Sequence, residues 1–262
     1  MRPPRPYASL SSGYDSLMWD GDYRERAAFL ETLLRESAIP VGTVLDLGCG
    51  TGSIAWLLFQ RGFRVIAADN SEEMLTRAQW KANQLLLLEE PREDDVPPPL
   101  FICQSMPRLK LAAPVDGVVS TLDSINYLTR ERDIRETFRR VYRYLNPGGR
   151  FLFDLNTPRH FRAMDRQMYL DETDDNFCVW RTFFSEKKQV CVWQVDLFRL
   201  REDGAWERSY EEHRERAWST EQVTEFLRDA GFGKIQITGD LSRKPPKDTE
   251  TRWNVLAEKE QV

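Results

Sequence analysis

Apolar positions follow one rhythm through the first two thirds of this chain and another after it. In DYRERAAFLETLLRESA (22–38), Phe29, Leu30, Leu33 and Leu34 stand at i, i+1, i+4 and i+5 among charges, which predicts an amphipathic helix. TVLDL (43–47) and FRVIAAD (63–69) are short unbroken apolar runs, the pattern of strands buried on both faces. Between them SIAWLLFQRG (53–62) reads as a helix stopped by Gly62. SEEMLTRAQWKANQLLLLEE (71–90) reads as a helix with Ser71 as N-cap and Glu72 and Glu73 in its positively polarised first turn. The acidic, proline-rich EEPREDDVPPP (89–99) predicts an exposed loop before a third strand, LFICQS (100–105). VDGVVSTL (115–122) is a fourth strand. ERDIRETFRRVYRYLNPGG (131–149) is a helix closed by a proline-glycine turn, and RFLFDLN (150–156) a fifth strand. Strand and helix alternate from 43 to 155, which predicts an α/β fold with a parallel, doubly wound sheet covered on both faces.

The rhythm then changes to a period of two. Residues 177–217 contain two alternating runs around SEKK and a third after REDG, a three-stranded antiparallel meander inserted into the α/β pattern. With the first turn centred on Glu186 and Lys187, Trp180 falls opposite Trp193 and Thr182 opposite Cys191, and Cys178 does not pair with Cys191. STEQVTEFLRDAGF (219–232) restores a helix capped by Ser219, and KIQITGD (234–240) and RWNVLAEK (252–259) supply two last strands for the sheet. The expected organisation is an N-terminal helical segment over 1–40, a Rossmann-like domain from 41–157 and 218–262, and an inserted β arm over 158–217.

Composition narrows the function. The 262 residues carry 37 Lys plus Arg against 42 Asp plus Glu, a net charge of −5, which opposes broad attraction to a phosphate backbone. The arm repeats this balance with eleven basic and thirteen acidic side chains, so a small molecule is expected in preference to nucleic acid. The opening MRPPRPYASLSSGYD lacks the apolar core of a signal peptide, and no window approaches eighteen consecutive apolar residues; a cytoplasmic protein without a membrane partner is expected. Cys49, Cys103, Cys178 and Cys191 show no paired spacing, and His160 and His213 are distant in sequence, so neither a disulfide framework nor a metal site is indicated.

The chemistry concentrates between the first strand and the next helix. Gly48, Gly50 and Gly52 fall within five positions; each costs about 0.5 to 1 kcal/mol of folding entropy relative to alanine, so the backbone there must turn sharply or be approached closely. Such a turn brings bare N–H groups and a helix N-terminus against an anionic ligand at the carboxyl edge of the sheet. The nicotinamide fingerprint G-x-G-x-x-G is missing its third glycine, because Ser53 stands in its place. Asp69 ends the second strand, and its two oxygens suit the two hydroxyls of an adenosine ribose.

LDLGCGTG (45–52), AADNSEEML (67–75), VDGVVSTLDSINYL (115–128), LNPGGRFLFDLNT (145–157) and HRERAWSTEQVTEFLRDAGF (213–232) together resemble the class I S-adenosylmethionine-dependent methyltransferases. The likeness is strongest to the small-molecule-type branch that includes the YqeM-like proteins, with its opening YASLSSGYDSLM (7–18). The resemblance implies a seven-stranded sheet with a β insertion after the fifth strand. It implies that Gly48, Cys49 and Gly50 line the methionine end of S-adenosylmethionine, that Asp69 holds the ribose, and that Asn70 and Met74 flank the adenosine. It further implies that the Leu122 backbone meets the amino group and that Tyr14 folds over the cofactor. The resemblance also places Gln104, Ser105 and Met106 at the adenine. Ser105 replaces the acid usual there, which shifts recognition toward Met106 and apolar stacking.

A methyl on a sulfonium is already activated, so the protein chiefly has to align a nucleophile and exclude water, with a base optional. LDSINY (122–127) and DLNTPRH (154–160) are the expected acceptor wall, with Asp123, Asn126, Tyr127 and Asn156 as its polar groups; local capping and turn formation explain several of them equally well. Asp123, Tyr127 and His160 are the candidate catalytic groups, although His160 beside Arg159 and Arg162 also reads as a solvated loop residue; His213 ranks below it. The reading is a methyltransferase that acts on a small molecule and releases S-adenosylhomocysteine. Its alternatives are a tRNA or RNA methyltransferase, a nicotinamide-dependent oxidoreductase, and a protein that binds the cofactor without turnover. The arm is either a lid over the acceptor or a homodimer surface.

Overall fold

The computed structural model describes residues 23–88 and 95–261. Tyr14 and most of the acidic loop lie outside the described residues. The first helix, α1 (Tyr23–Arg35), buries Ala27, Leu30 and Leu34 on one stripe, the spacing its sequence predicts. It is followed by β1 (Thr43–Leu47), α2 (Ser53–Gln60), β2 (Arg64–Asp69), α3 (Glu72–Leu88), β3 (Leu100–Cys103), β4 (Val115–Ser120), α4 (Glu131–Tyr144) and β5 (Leu145–Asn156). After the arm come α6 (Thr220–Ala230), β10 (Lys234–Gly239) and β11 (Arg252–Glu258). The sheet order is β10-β11-β5-β4-β1-β2-β3. β3, β2, β1, β4 and β5 run parallel, and β11 is antiparallel to both β5 and β10.

Two apolar layers explain why β1 and β4 read as unbroken runs. Leu45, Leu47 and Val118 face the layer under α4 and α6, where Phe138, Phe151, Phe153 and Trp218 pack; Val44 and Val119 face the layer under α1 and α2 with Leu30, Trp56 and Phe59. Ser71 Oγ accepts from Met74 N at 3.2 Å, so it caps α3 as expected. Ser219 and Gln222 form a reciprocal capping box on α6. β5 begins at Leu145 rather than Arg150, because Leu145 pairs with Val115 before a register shift carries the ladder on to Gly117 and Arg150.

The arm departs from expectation in two ways. It consists of α5 (Pro158–Ala163) and four strands, β6 (Met168–Glu172), β7 (Asn176–Ser185), β8 (Val190–Leu200) and β9 (Trp206–Arg216), in that order across the sheet. The extra strand, β6, is a mostly exposed edge with no apolar alternation to announce it. The β7–β8 connection spans four residues, 186–189, with Gln189 at φ 51°, so Thr182 faces Trp193 and Phe184 faces Cys191. This is two residues from the sequence register. A shift of two preserves which face each side chain occupies, and the Trp180 and Trp193 rings still meet diagonally, 6.4 Å apart and edge to face. All four cysteines are free.

Candidate active site

The glycine turn after β1 forms the floor of a cleft of about 380 Å³ at the carboxyl edge of the sheet. Gly48, Gly50 and Gly52 have φ of 80°, 53° and 76°, the left-handed region that only glycine enters at little cost. A Cβ on Gly48 would lie 2.7 Å from Met106 Cε and 2.8 Å from Ser124 Cβ, whereas one on Gly50 would meet nothing within 4 Å. The first glycine therefore lets the loops after β1, β3 and β4 close together, and the second keeps the cleft floor clear.

Two carboxylates stand at this floor. Asp69 accepts from Gly50 N on Oδ2 and from Ser71 N on Oδ1, both at 2.9 Å. These bonds fix the plane of the carboxylate at the rim of the cleft. Burial pushes its pKa up, and the backbone N–H groups of Ser71, Gly50 and Asn70 oppose that. Asp46 is 1% exposed, and its Oδ2 has no hydrogen-bond partner among the described residues. Burial, reinforced by the charge of Asp69, pushes Asp46 up to about 7 against the Ala55 backbone N–H. A buried carboxylate oxygen left without a donor is costly unless a cation or donor meets it.

Of the residues singled out from sequence, Gly48, Cys49, Gly50, Asp69, Asn70, Met74, Ser105, Met106, Leu122 and Tyr127 line this one cleft. Gln104 does not, because its side chain is taken up by the Lys110 backbone, accepting from N at 2.7 Å and donating to O at 3.0 Å. Asp123 is turned away to Arg252, 2.8 Å from Nη2. His160, on α5 and edge to face with Phe161, is also outside the cleft lining. Burial lowers its pKa, with Asp123 opposing and Arg252 reinforcing the shift. Asn126 and Asn156 are buried connectors: Asn126 Nδ2 donates to the carbonyls of Asn156 and Arg216, and Asn156 N donates to Asn126 Oδ1. They fasten the arm to the sheet.

Leu122 and Asp123 both have positive φ, 55° and 56°, which costs about 1 to 3 kcal/mol per non-glycine residue. Asp154, 1% exposed at the end of β5, holds them there. It accepts from Leu122 N at 2.8 Å and Asp123 N at 2.7 Å, and pairs with Arg26 at 3.2 Å and Arg252 at 2.6 Å. The sequence singles out neither Asp154 nor Asp46, and it expects the arm as a lid or a homodimer surface without naming Glu212 or Arg214. Charged residues crowd WERSYEEHRER, yet Glu211, His213 and Glu215 are each only 2% exposed. From the same strand, Glu212 and Arg214 reach the cleft lining.

A doubly wound sheet of this order, with a glycine turn after its first strand and an acid at the end of its second, is the arrangement that binds a nucleotide-containing cofactor at the carboxyl edge. A family model described as a methyltransferase domain matches residues 44–149. A protein of Bacillus subtilis (strain 168) that carries a methyltransferase name, YqeM, is 31% identical over 255 residues, 97% of this chain and 97% of its own length. The solved structure of an S-adenosylmethionine-dependent methyltransferase from Clostridium acetobutylicum ATCC 824 has a TM-score of 0.82 at 24% identity, covering 98% of this chain and 100% of the other. CalS10, an amino pentose methyltransferase from Micromonospora echinaspora solved with S-adenosylmethionine bound, has a TM-score of 0.71 at 16% identity, covering 99% of this chain and 100% of its own. The chain belongs to the S-adenosylmethionine-dependent methyltransferase family. The cleft fits that cofactor: the unpartnered Asp46 oxygen suits its cationic end, and the cleared floor at Gly50 admits close contact with the backbone. Among the described residues no helix is long and apolar enough to cross a membrane, and no group of three or more His, Cys, Asp or Glu could hold a metal ion.

Proposed function

We propose that this methyltransferase methylates a small molecule, with an amine as the first acceptor to test. The observation that carries this reading is the convergence of Asp46, Asp69, the glycine floor and the arm residues Glu212 and Arg214 on one cleft. Asp69 binds the two ribose hydroxyls, Asn70 and Met74 flank the adenosine, and Ser105 and Met106 border the adenine. Asp46 and the Leu122 carbonyl face the amino acid end. When bound, S-adenosylmethionine supplies an electrophilic methyl group on a cationic sulfur, and the acceptor has only to be aligned and stripped of water. The arm serves as the wall and lid of the acceptor site, and Tyr127 faces the acceptor. The near-balanced charge of the arm and the amino pentose substrate in the name of CalS10 support a small amine over a nucleic acid.

The test is S-adenosylhomocysteine release with a panel of small amines, alcohols and carbon acids. Turnover with an amine is expected. Turnover confined to RNA, with steep loss on added salt, would overturn the reading.

Cofactor affinity should also depend on pH through Asp46. A cationic ligand favours the carboxylate, so a group raised to about 7 makes binding tighten as pH rises through that value, with proton release below it. The dependence is expected to approach tenfold per pH unit on the acid side. Without ligand the sign reverses: the folded chain holds the Asp46 proton more tightly than the unfolded chain does, so this group's contribution to stability falls between about 4 and 7. Calorimetry at pH 6 and 8 checks this. Asp46→Asn should bind weakly with a flatter profile, and identical profiles for both proteins would rule out the assignment.

A further inference from the structure

Behind the cleft wall, two buried side chains that the proposed function leaves without a role continue from Tyr127. Tyr127, on the 3-10 turn Ser124–Tyr127, lines the cleft. Its hydroxyl is 3.1 Å from Nδ1 of His213, and the two rings meet edge to face. Nε2 of His213 is 3.0 Å from Oε2 of Glu211. The histidine and glutamate sit two residues apart on β9, so both project to the same face, and both are only 2% exposed. A carboxylate only accepts hydrogen bonds, so the neutral imidazole carries its hydrogen on Nε2 and Nδ1 accepts from the tyrosine hydroxyl.

We propose that Tyr127, His213 and Glu211 form a proton relay that takes a proton from the methyl acceptor in the cleft. The inference rests on the methyl-transfer reading. In the relay, the proton leaves the acceptor's N–H or O–H for the Tyr127 oxygen as the tyrosine's own proton passes to His213 Nδ1. The electron pair of the broken acceptor bond stays on the acceptor atom that attacks the methyl group. The resulting imidazolium is held by the Glu211 carboxylate, the role that an acid plays behind a histidine base. Tyr127 is the catalytic residue, and His213 and Glu211 are positioning residues acting through it. The arrangement also couples chemistry to the arm: the relay is complete only when β9 is docked on the turn that carries Tyr127, which Asn126 secures through the Arg216 carbonyl.

The chain has only two histidines, so its imidazole nitrogens are resolvable. Protein labelled with 15N-histidine, assigned with His160→Asn, is expected to show His213 as the Nε2–H tautomer, and Tyr127→Phe should shift His213 Nδ1 while leaving His160 in place. In S-adenosylhomocysteine release with the amine panel, Tyr127→Phe and His213→Gln should each lower kcat by about 100-fold or more. The double variant should fall no further than either single one, and the KM for S-adenosylmethionine should stay unchanged. Tyr127→Phe removes one oxygen from a half-buried ring, so it answers the question even if His213→Gln fails to fold. A His213 proton on Nδ1, an imidazole spectrum indifferent to Tyr127→Phe, or wild-type kcat in the variants would overturn the relay. Failure of the wild-type protein to methylate any acceptor would instead overturn the methyl-transfer reading, and the imidazole spectrum would still judge the relay.

Discussion

Asp69→Ala is expected to remove S-adenosylmethionine binding detectable by calorimetry while far-ultraviolet circular dichroism remains that of the parent. Two hydrogen bonds from ribose hydroxyls to a carboxylate contribute about 1.5 to 3 kcal/mol each, so losing both weakens binding by roughly 10²- to 10⁴-fold. The substitution also strips Gly50 N and Ser71 N of their acceptors. That loss is partly offset, because the folded chain no longer holds a carboxylate whose charge is disfavoured by burial. Asp69→Asn separates the two effects: it keeps an oxygen for one backbone N–H and can meet only one hydroxyl as acceptor, so intermediate affinity is expected. Unchanged affinity in the alanine variant would mean that the ribose lies elsewhere.

Asp154→Ala should be the more damaging change to the fold, and it should weaken cofactor binding as a consequence. The carboxylate gathers four donors: the N–H groups of two consecutive left-handed residues and two guanidinium groups that approach from opposite ends of the chain. Removing one partner from a buried ionic cluster costs about 3 to 5 kcal/mol, because the remaining charges stay buried. For a chain of this size that corresponds to a fall in melting temperature on the order of 10 °C. Once released, Leu122 and Asp123 are expected to relax toward negative φ, which moves the Leu122 carbonyl at the cleft. Thermal melts and calorimetry on Asp154→Ala and Asp154→Asn check both consequences. A variant that melts like the parent would show that Asp154 does not hold the loop.

The two experiments probe opposite kinds of information in the chain. Asp69 could be picked out from sequence because everything that defines its position is local. A buried strand, a tight turn nineteen residues away and the capped helix that follows each leave a signature in neighbouring residues. Gly48, Gly50 and the Ser219 cap were legible for the same reason, as was the order of strands and helices, since periodicity records which faces are buried. The strand register of the arm was legible only to within two residues. The pleat fixes the face of each side chain, whereas the length of the connecting turn fixes its partner.

Asp154, by contrast, looked like one more residue in an apolar strand. Its donors are 31, 32, 98 and 128 positions away, and nothing local reports them. Asp123 and His160 were drawn toward the site by their place after β4 and β5, but Arg252, arriving on the last strand, pairs with Asp123 instead. His213 lies within SYEEHRER, where charges crowd the strand and nothing local marks the covered face. Which face of an edge strand is covered depends on what docks against it, here the turn carrying Asn126 and Tyr127. The sequence by itself thus determined the doubly wound sheet, the glycine turn and the acid that faces it, because these follow from the residues' own backbone freedom and burial rhythm. Only the tertiary structure decided which carboxylate oxygen is buried without a donor, which carboxylates are spent on arginines, and which histidine stands behind the cleft. Those outcomes depend on long-range approaches between charged groups that no local pattern encodes.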